Sequence, residues 1–280
     1  MSRFVASLPM YDWPELRSSV DAEWAELRGR LLGGGVEAPA ALTRRNADLP
    51  QVPGGVRDAA GRVIAPDPAT LPPDGFDLAA LWRHPRLLVA QTCWGPMEAG
   101  LAEHVEVVGQ PSYAGIEGGQ GPFYSSAIIM RRQRDDDGES GMEWQRRATS
   151  CDVGAPADGG PLIPAGRMRG LRLACNVLDS MSGIIALSRD LETLGENIGI
   201  FGERVLTGSH RASIAAVAAG KADVCAVDCR SWKIAKEHEP ASAAVEVVGW
   251  TSLRKGLPMI ASRHLDPAVL EAVRVALSAR

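Results

Sequence analysis

Two stretches of the chain place serine and histidine side chains where helices are predicted to begin. Ser180 and Ser182 precede one apolar helix, and Ser209 precedes His210 at the start of another. The first turn of a helix has unpaired backbone N–H groups and the positive end of the helix dipole, which attract anions. These residues predict a site for a small anionic group. Serine at such positions also caps helices that bind nothing, so capping alone is the alternative.

Asp228 ends a short apolar run, residues 224–227, which predicts a strand covered on both faces. Ligands of open α/β sheets bind at the carboxyl ends of strands. The Asp228 carboxylate could accept a hydrogen bond from a protonated ligand oxygen or an amine, or it could cap the following helix. His210 could donate to an oxyanion, and the positive end of the helix favours its neutral form. The alternative is a surface histidine that packs beside the cap.

Patterns typical of catalytic sites are missing from the sequence. It has no G-x-S-x-G elbow, P-loop, G-x-G-x-x-G or H-E-x-x-H motif. Its cysteines form no C-x-x-C pair and no zinc spacing; they are Cys93, Cys151, Cys175, Cys225 and Cys229. We therefore expect no metal and no cofactor, and a Cys93–His210 hydrolase has no support from spacing.

The elements that must position these residues alternate between strands and helices. Strands are predicted at residues 4–8, 87–91, 105–108, 124–130, 171–176, 204–206, 224–227, 245–250 and 259–262. Helices are predicted at residues 14–32, 77–83, 97–103, 182–194, 209–219, 231–238 and 267–278. This alternation indicates an α/β fold with mostly parallel pairing.

Three stretches rich in glycine, proline or charge interrupt this pattern. Residues 109–122 are the best candidate for a crossing between domains, and residues 44–75 predict an irregular surface excursion. Residues 131–165 predict a second excursion, with a hairpin around positions 138–141.

Composition narrows the class of protein. The chain has 280 residues, 45% of them hydrophobic and 23% charged, which fits a soluble globular protein of two modest domains or one large one. Its net charge of −4, without a basic block, argues against a nucleic-acid partner. No apolar stretch is long enough to span a membrane, and the first residues do not form a signal peptide. As the sequence stands, we expect a cytoplasmic location, or a periplasmic one if a signal segment precedes it.

The stretch from Gly208 to Asp228 resembles the phosphate/phosphite/phosphonate substrate-binding proteins of ABC transporters. Shorter pieces follow in the same order along the chain, at residues 7–13, 91–95, 124–130 and 179–183. The resemblance covers nearly the whole chain apart from residues 44–75 and 131–165.

The resemblance implies a type II periplasmic-binding-protein fold, with two α/β lobes joined by two crossing strands. Lobe 1 is expected at residues 1–121 with 230–280, and lobe 2 at residues 122–229. The implied function is binding a small anionic or zwitterionic solute in the cleft, for delivery to an ABC permease, with hinge closure over the ligand. The alternatives are a cytoplasmic enzyme of cofactor-precursor metabolism on the same fold, and a ligand sensor.

The resemblance also implies the ligand-binding residues. In phosphonate binders of the family, a hydroxyl-rich helix start and a histidine at the next helix start hold the phosphonate oxygens, which suggests Ser180, Ser182 and His210. An acid and a tyrosine complete the site, which suggests Asp228 and Tyr11. The family usually has three hydroxyl residues in a row, whereas Met181 stands between the two serines here. The remaining candidates are Thr92, Tyr124, Met181 and Ser209.

Overall fold

The computed structural model describes residues 4–132 and 152–278. The chain divides into two compact units, a first unit of Met1–Pro111 with Leu257–Arg280 and a second unit of Ser112–Gly256. The chain thus passes between units twice, and the first passage lies in the glycine-rich stretch predicted as a crossing. The predicted hairpin around positions 138–141 lies outside the described residues, as does Cys151.

The first unit is built on a mixed sheet. Its strands are β1 (Val5–Ser7), β2 (Val56–Arg57), β3 (Val63–Ala65), β4 (Leu87–Gln91), β5 (Val105–Gly109) and β14 (Met259–Ser262). Its helices are α1 (Arg17–Gly33), α2 (Leu78–Trp82), α3 (Trp94–Glu98) and α8 (Pro267–Ser278). The main sheet has the order β1-β4-β14-β5, in which β1 is parallel to β4 and β14 is antiparallel to both of its neighbours.

The core of the first unit follows the periodicity of its helices. On α1 the buried residues are Val20, Trp24, Leu27 and Leu31, the stripe that the sequence predicts. They pack with Leu270 and Val273 of α8 against one face of the sheet. The excursion at residues 44–75 contains the small β2–β3 hairpin, and Arg44 attaches it to Asp12 through two hydrogen bonds of 2.6 and 3.0 Å.

The second unit contains a larger mixed sheet. Its strands are β6 (Gly119–Gln120), β7 (Phe123–Tyr124), β8 (Ser126–Arg131), β9 (Arg172–Cys175), β10 (Glu203–Leu206), β11 (Val224–Asp228), β12 (Val245–Trp250) and β13 (Arg254–Lys255). Its helices are α4 (Ala165–Met168), α5 (Ala186–Thr193), α6 (His210–Ala218) and α7 (Cys229–His238). The main sheet has the order β10-β9-β11-β8-β12, and a small sheet has the order β13-β7-β6.

The strand pairing differs from the mostly parallel sheets that alternation predicts. Strands β10, β9 and β11 run parallel, but β8 lies antiparallel to both β11 and β12. The pairing of β12 with β8 also makes α7 and β12 part of the second unit. The unit boundary therefore falls after Gly256, whereas the predicted lobe boundary falls after position 229.

One of the two faces of this sheet packs under α5. Ile128 of β8, Leu173 and Cys175 of β9, and Val224 and Ala226 of β11 lie in one core cluster. Ile184, Leu187 and Leu191 complete the cluster from the helical side. The strands of this face end beside the helix start that carries Ser180 and Ser182.

Other predicted elements hold with small changes of boundary. The strand predicted at residues 124–130 is divided into β7 and β8 at Ser125, and the helix predicted at residues 97–103 is α3 followed by a short 3₁₀ turn.

The cysteines in the described ranges are buried, and burial raises the pKa of the Cys225 and Cys229 thiols. None of the helices in residues 4–132 and 152–278 has the length and apolar composition that crossing a bilayer requires.

Candidate functional site

The helix start at Ser180 begins with a π-helical turn, Met181–Ile185, before it continues as α5. The backbone N–H groups of Ile184 and Ile185 both donate to the carbonyl of Ser180, at 3.2 and 3.1 Å. The Ser180 hydroxyl accepts a hydrogen bond from the N–H of Gly183 at 3.0 Å and so caps the turn. Single π-helical turns occur frequently at functional sites. The turn fixes the positions of Ser180 and Ser182, and both residues are buried.

Gly183 is required at this turn because of a close approach. A Cβ atom at this position would collide with the side-chain oxygen of Asn176, which follows the last residue of β9. This oxygen is buried and accepts no hydrogen bond from the described residues. The strand end and the turn are therefore packed directly on one another.

His210 is the first residue of α6 and reaches across to this turn. Ser209 caps α6 by accepting the N–H of Ala212 at 3.1 Å, which fixes where the helix begins. The Nε2 atom of His210 then lies 2.8 Å from the Ser182 hydroxyl and 3.5 Å from Oδ2 of Asp228. The side chains of His210 and Asp228 are only 13% and 4% exposed. The predicted Ser182, His210 and Asp228 are thus brought into one cluster.

Asp228 has two tasks in this cluster, one for each carboxylate oxygen. Its Oδ1 accepts the N–H groups of Arg230 and Ser231, at 3.1 and 2.9 Å, and thereby caps α7. Its Oδ2 faces His210. The end of β11 is consequently held by the helix that follows it, and the carboxylate cannot turn away from the histidine without loss of the cap.

Burial decides the charge of His210. Removal from water lowers the pKa of this imidazole below its usual value of 6.5, while the Asp228 carboxylate and the Ala226 carbonyl act in the opposite direction and offset only part of the effect. No described residue makes a hydrogen bond of normal geometry with Nδ1. A neutral imidazole with its proton on Nε2 can donate to an anionic oxygen placed beside Ser182.

The serine, histidine and aspartate do not form a catalytic triad. In a triad the acid holds Nδ1 of the histidine so that Nε2 remains for the serine. Here Ser182 and Asp228 both approach Nε2. The acid therefore cannot orient the ring for proton transfer from the serine, and the cluster is suited to binding an anion.

Residues 97–279 match the sequence profile of the family described as ABC transporter, phosphonate, periplasmic substrate-binding protein. The match covers more than half of the chain. The chain belongs to this family. The predicted family is thereby confirmed, and membership supports solute binding instead of the enzymatic alternative. A search of curated protein sequences finds no relative of the chain.

Solved structures agree on the fold. PhnD1 from Prochlorococcus marinus, solved in complex with methylphosphonate, superposes with a TM-score of 0.59 at 14% identity, covering 97% of this chain and 82% of that one. The binding-protein component of a phosphonate ABC transporter from Pseudomonas aeruginosa gives a TM-score of 0.58 at 15% identity, covering 97% and 72%. A Xanthomonas citri protein bound to chloride gives 0.57 at 13% identity, covering 99% and 83%. The type II periplasmic-binding-protein fold is confirmed.

The other predicted ligand-binding residues lie in different parts of this family member. Tyr11 and Thr92 are buried in the first unit, and the Thr92 hydroxyl has no hydrogen-bond partner among the described residues. Tyr124 is buried in the second unit, with its ring 5.4 Å from that of Tyr113. Met181 is buried, and its sulfur lies 4.0 Å from Nη1 of Arg189. These four, like Ser209, stay predictions as ligand contacts.

One polar cluster of the second unit is missed by the sequence reasoning. Asp190 of α5 is 2% exposed, and its two oxygens accept both terminal nitrogens of Arg254 at 3.1 and 2.6 Å. The same carboxylate accepts the N–H and hydroxyl of Ser252, at 2.8 and 3.0 Å. The signal was present, because Asp190 stands between Leu187 and Leu191 on the apolar face of a helix. An acid there predicts a buried cationic partner.

Proposed function

We propose that the chain binds a small phosphonate or phosphate-type anion at the turn Met181–Ile185, with Ser180, Ser182 and His210 as its principal contacts. The observation that carries this proposal is the cluster of Ser182, His210 and Asp228 at the start of two helices. The Ser182 hydroxyl and the His210 imidazole can both donate toward the same region. A phosphonate or phosphate group has three or more oxygens to accept such bonds.

Asp228 positions His210 in this proposal instead of binding the ligand with a free carboxylate. Both of its oxygens are already engaged, one by α7 and the other near His210. A negative charge beside an anion site is tolerated only with a donor between the two, and His210 occupies that place.

Family membership supports the setting in which binding takes place. The family is described as periplasmic, and its members are components of ABC transporters. We accordingly propose that this chain acts in the periplasm and delivers its ligand to an ABC permease. The methylphosphonate found in the Prochlorococcus marinus relative supports a small alkylphosphonate as the first ligand to test.

The proposal is tested by calorimetric titration with methylphosphonate, inorganic phosphate and sulfate. Removal of one hydrogen bond to a charged group costs about 1.5–3 kcal/mol, or roughly 10- to 100-fold in affinity. We expect Ser182→Ala and His210→Ala each to weaken binding of the preferred anion by this factor.

Ser188→Ala is the matched control, because Ser188 lies on α5, which continues from the turn with Ser182, and its hydroxyl makes a hydrogen bond with Glu192 at 3.4 Å, away from His210. It should bind like the unmodified protein. Equal affinity in all three variants, or no heat with any anion of the panel, would contradict the proposal.

A further inference from the structure

Ser126, the first residue of β8, has a buried hydroxyl without a partner among the described residues. Its backbone is fully engaged, because its N–H donates to the Thr251 hydroxyl at 2.8 Å and its carbonyl accepts the N–H of Thr251 at 2.9 Å. Its side chain is different: the residue is 0% exposed, and Oγ makes no hydrogen bond with any described residue. Buried hydroxyl groups nearly always have a hydrogen-bond partner, and none of the described residues supplies one here, so a bound ligand can take that place.

The strand register shows which way this hydroxyl points. Ser126 lies directly opposite Asp228 in the antiparallel pair of β8 and β11, and opposed residues have their side chains on the same face of the sheet. The next pair on that face is Ile128 with Ala226. Both belong to the core cluster that packs under α5. Ser126 and Asp228 therefore end this row on the face that carries the Met181–Ile185 turn.

The same row connects Ser126 to the proposed anion site. Asp228 is 3.5 Å from His210, which is 2.8 Å from Ser182, and Ile184 of the turn packs in the cluster with Ile128. Ser126 is thus paired across the sheet with Asp228, the residue that lies beside His210. Opposed side chains in a sheet have Cβ atoms about 4.5–5.5 Å apart, which a bound oxygen can bridge.

We propose that Ser126 is a further ligand-contacting residue, whose hydroxyl donates to an oxygen of the phosphonate or phosphate group. This inference rests on the proposed function. It also accounts for the interruption of the turn by Met181: the loop has two hydroxyl groups, and the neighbouring strand supplies a third. The specificity of the site then depends on a strand residue as well as on the helix starts.

Ser126→Ala tests the inference through two readouts that change in different directions. The variant loses no hydrogen bond in the ligand-free protein, so the melting temperature without ligand should be unchanged or higher. The affinity for methylphosphonate, or for phosphate if that binds more tightly, should fall about tenfold or more in calorimetry. Ser126→Cys keeps a weak donor of similar size. Its affinity for the anion should therefore lie between those of the parent protein and of Ser126→Ala.

Ser125→Ala is the matched control at the adjacent position. The Ser125 hydroxyl donates to the carbonyl of Gly118 at 2.9 Å, and alternation directs it to the opposite face of the strand. This variant should melt at a lower temperature and bind the anion normally.

The outcomes separate this inference from the proposed function. If Ser126→Ala binds normally while Ser182→Ala and His210→Ala bind weakly, Ser126 is not a ligand contact and the proposed site stands. A lower melting temperature of ligand-free Ser126→Ala, with unchanged affinity, likewise overturns the inference, because the hydroxyl then has a structural partner. If no anion binds to any variant or to the parent protein, the proposed function itself fails.

Discussion

His210 is the residue on which charge, burial and hydrogen bonding act together. Its ring is held between a hydroxyl and a carboxylate, yet it is so far removed from water that its pKa lies below 6.5. A neutral ring can carry its Nε2 proton toward an incoming oxygen without adding a buried positive charge. The binding of a dianion would raise the pKa again, because an opposite charge within a few ångströms favours protonation.

The stability of the ligand-free protein should depend on pH through this residue. Because the pKa of His210 is lower in the folded than in the unfolded chain, the unfolded state binds the extra proton first as the pH falls below 6.5. The histidine contribution to stability is therefore complete above that pH and is lost as the pH falls toward the folded-state pKa. The loss cannot exceed about 1.4 kcal/mol per pH unit for one proton.

His210→Gln checks this dependence, because glutamine keeps a side-chain donor and does not titrate. Melting temperatures measured from about pH 7 to about pH 5 should fall less steeply for the variant than for the parent protein. Parallel curves for parent and His210→Gln would refute the assignment.

At the scale of elements, α5 is the helix that connects the proposed anion site to the rest of the second unit. The π-helical turn that leads into α5 carries Ser182, and Asp190 in the second half of α5 accepts hydrogen bonds from Ser252 and Arg254. The segment with Ser252 and Arg254 leads to the end of the second unit at Gly256. The buried ion pair therefore fixes both the helix and the last strands of the unit.

Asp190→Asn should lower the free energy of unfolding by about 3 kcal/mol, since loss of one partner leaves the other charge uncompensated. Urea denaturation followed by far-UV circular dichroism measures the change. Glu196→Gln is the control, because its pairing with Arg169 is much more exposed, and exposed pairs contribute about 1 kcal/mol or less. Similar losses of unfolding free energy in the two variants would show that the Asp190–Arg254 pair stabilises the fold no more than an exposed pair does.

The sequence predicts most helices and strands because their apolar periodicity is clear, as in the Val20, Trp24, Leu27 and Leu31 stripe of α1. It does not predict the π-helical turn, which depends on how Gly183 packs against Asn176. Nor does it predict that β8 is antiparallel to β11, because periodicity describes the faces of a strand and carries no information on its direction.

At the scale of the whole molecule, family and fold are predicted from the 208–228 stretch, but the extent of each unit is not. The boundary after Gly256 depends on the pairing of β12 with β8, a contact between segments far apart in the chain. The candidate site shows the same limit. The sequence marks Ser182, His210 and Asp228 by their places at helix starts and a strand end. Ser126 is distinguished only in the folded sheet, by a buried hydroxyl that makes no hydrogen bond with the described residues.

A crystal structure of the whole chain with methylphosphonate tests the central claim most directly. The account predicts phosphonate oxygens within hydrogen-bonding distance of the Ser182 hydroxyl, of Nε2 of His210 and of backbone N–H groups of the Met181–Ile185 turn. The same structure would show whether Tyr11 and Thr92 of the first unit contact the ligand. A phosphonate bound away from Ser182 and His210 would contradict the account.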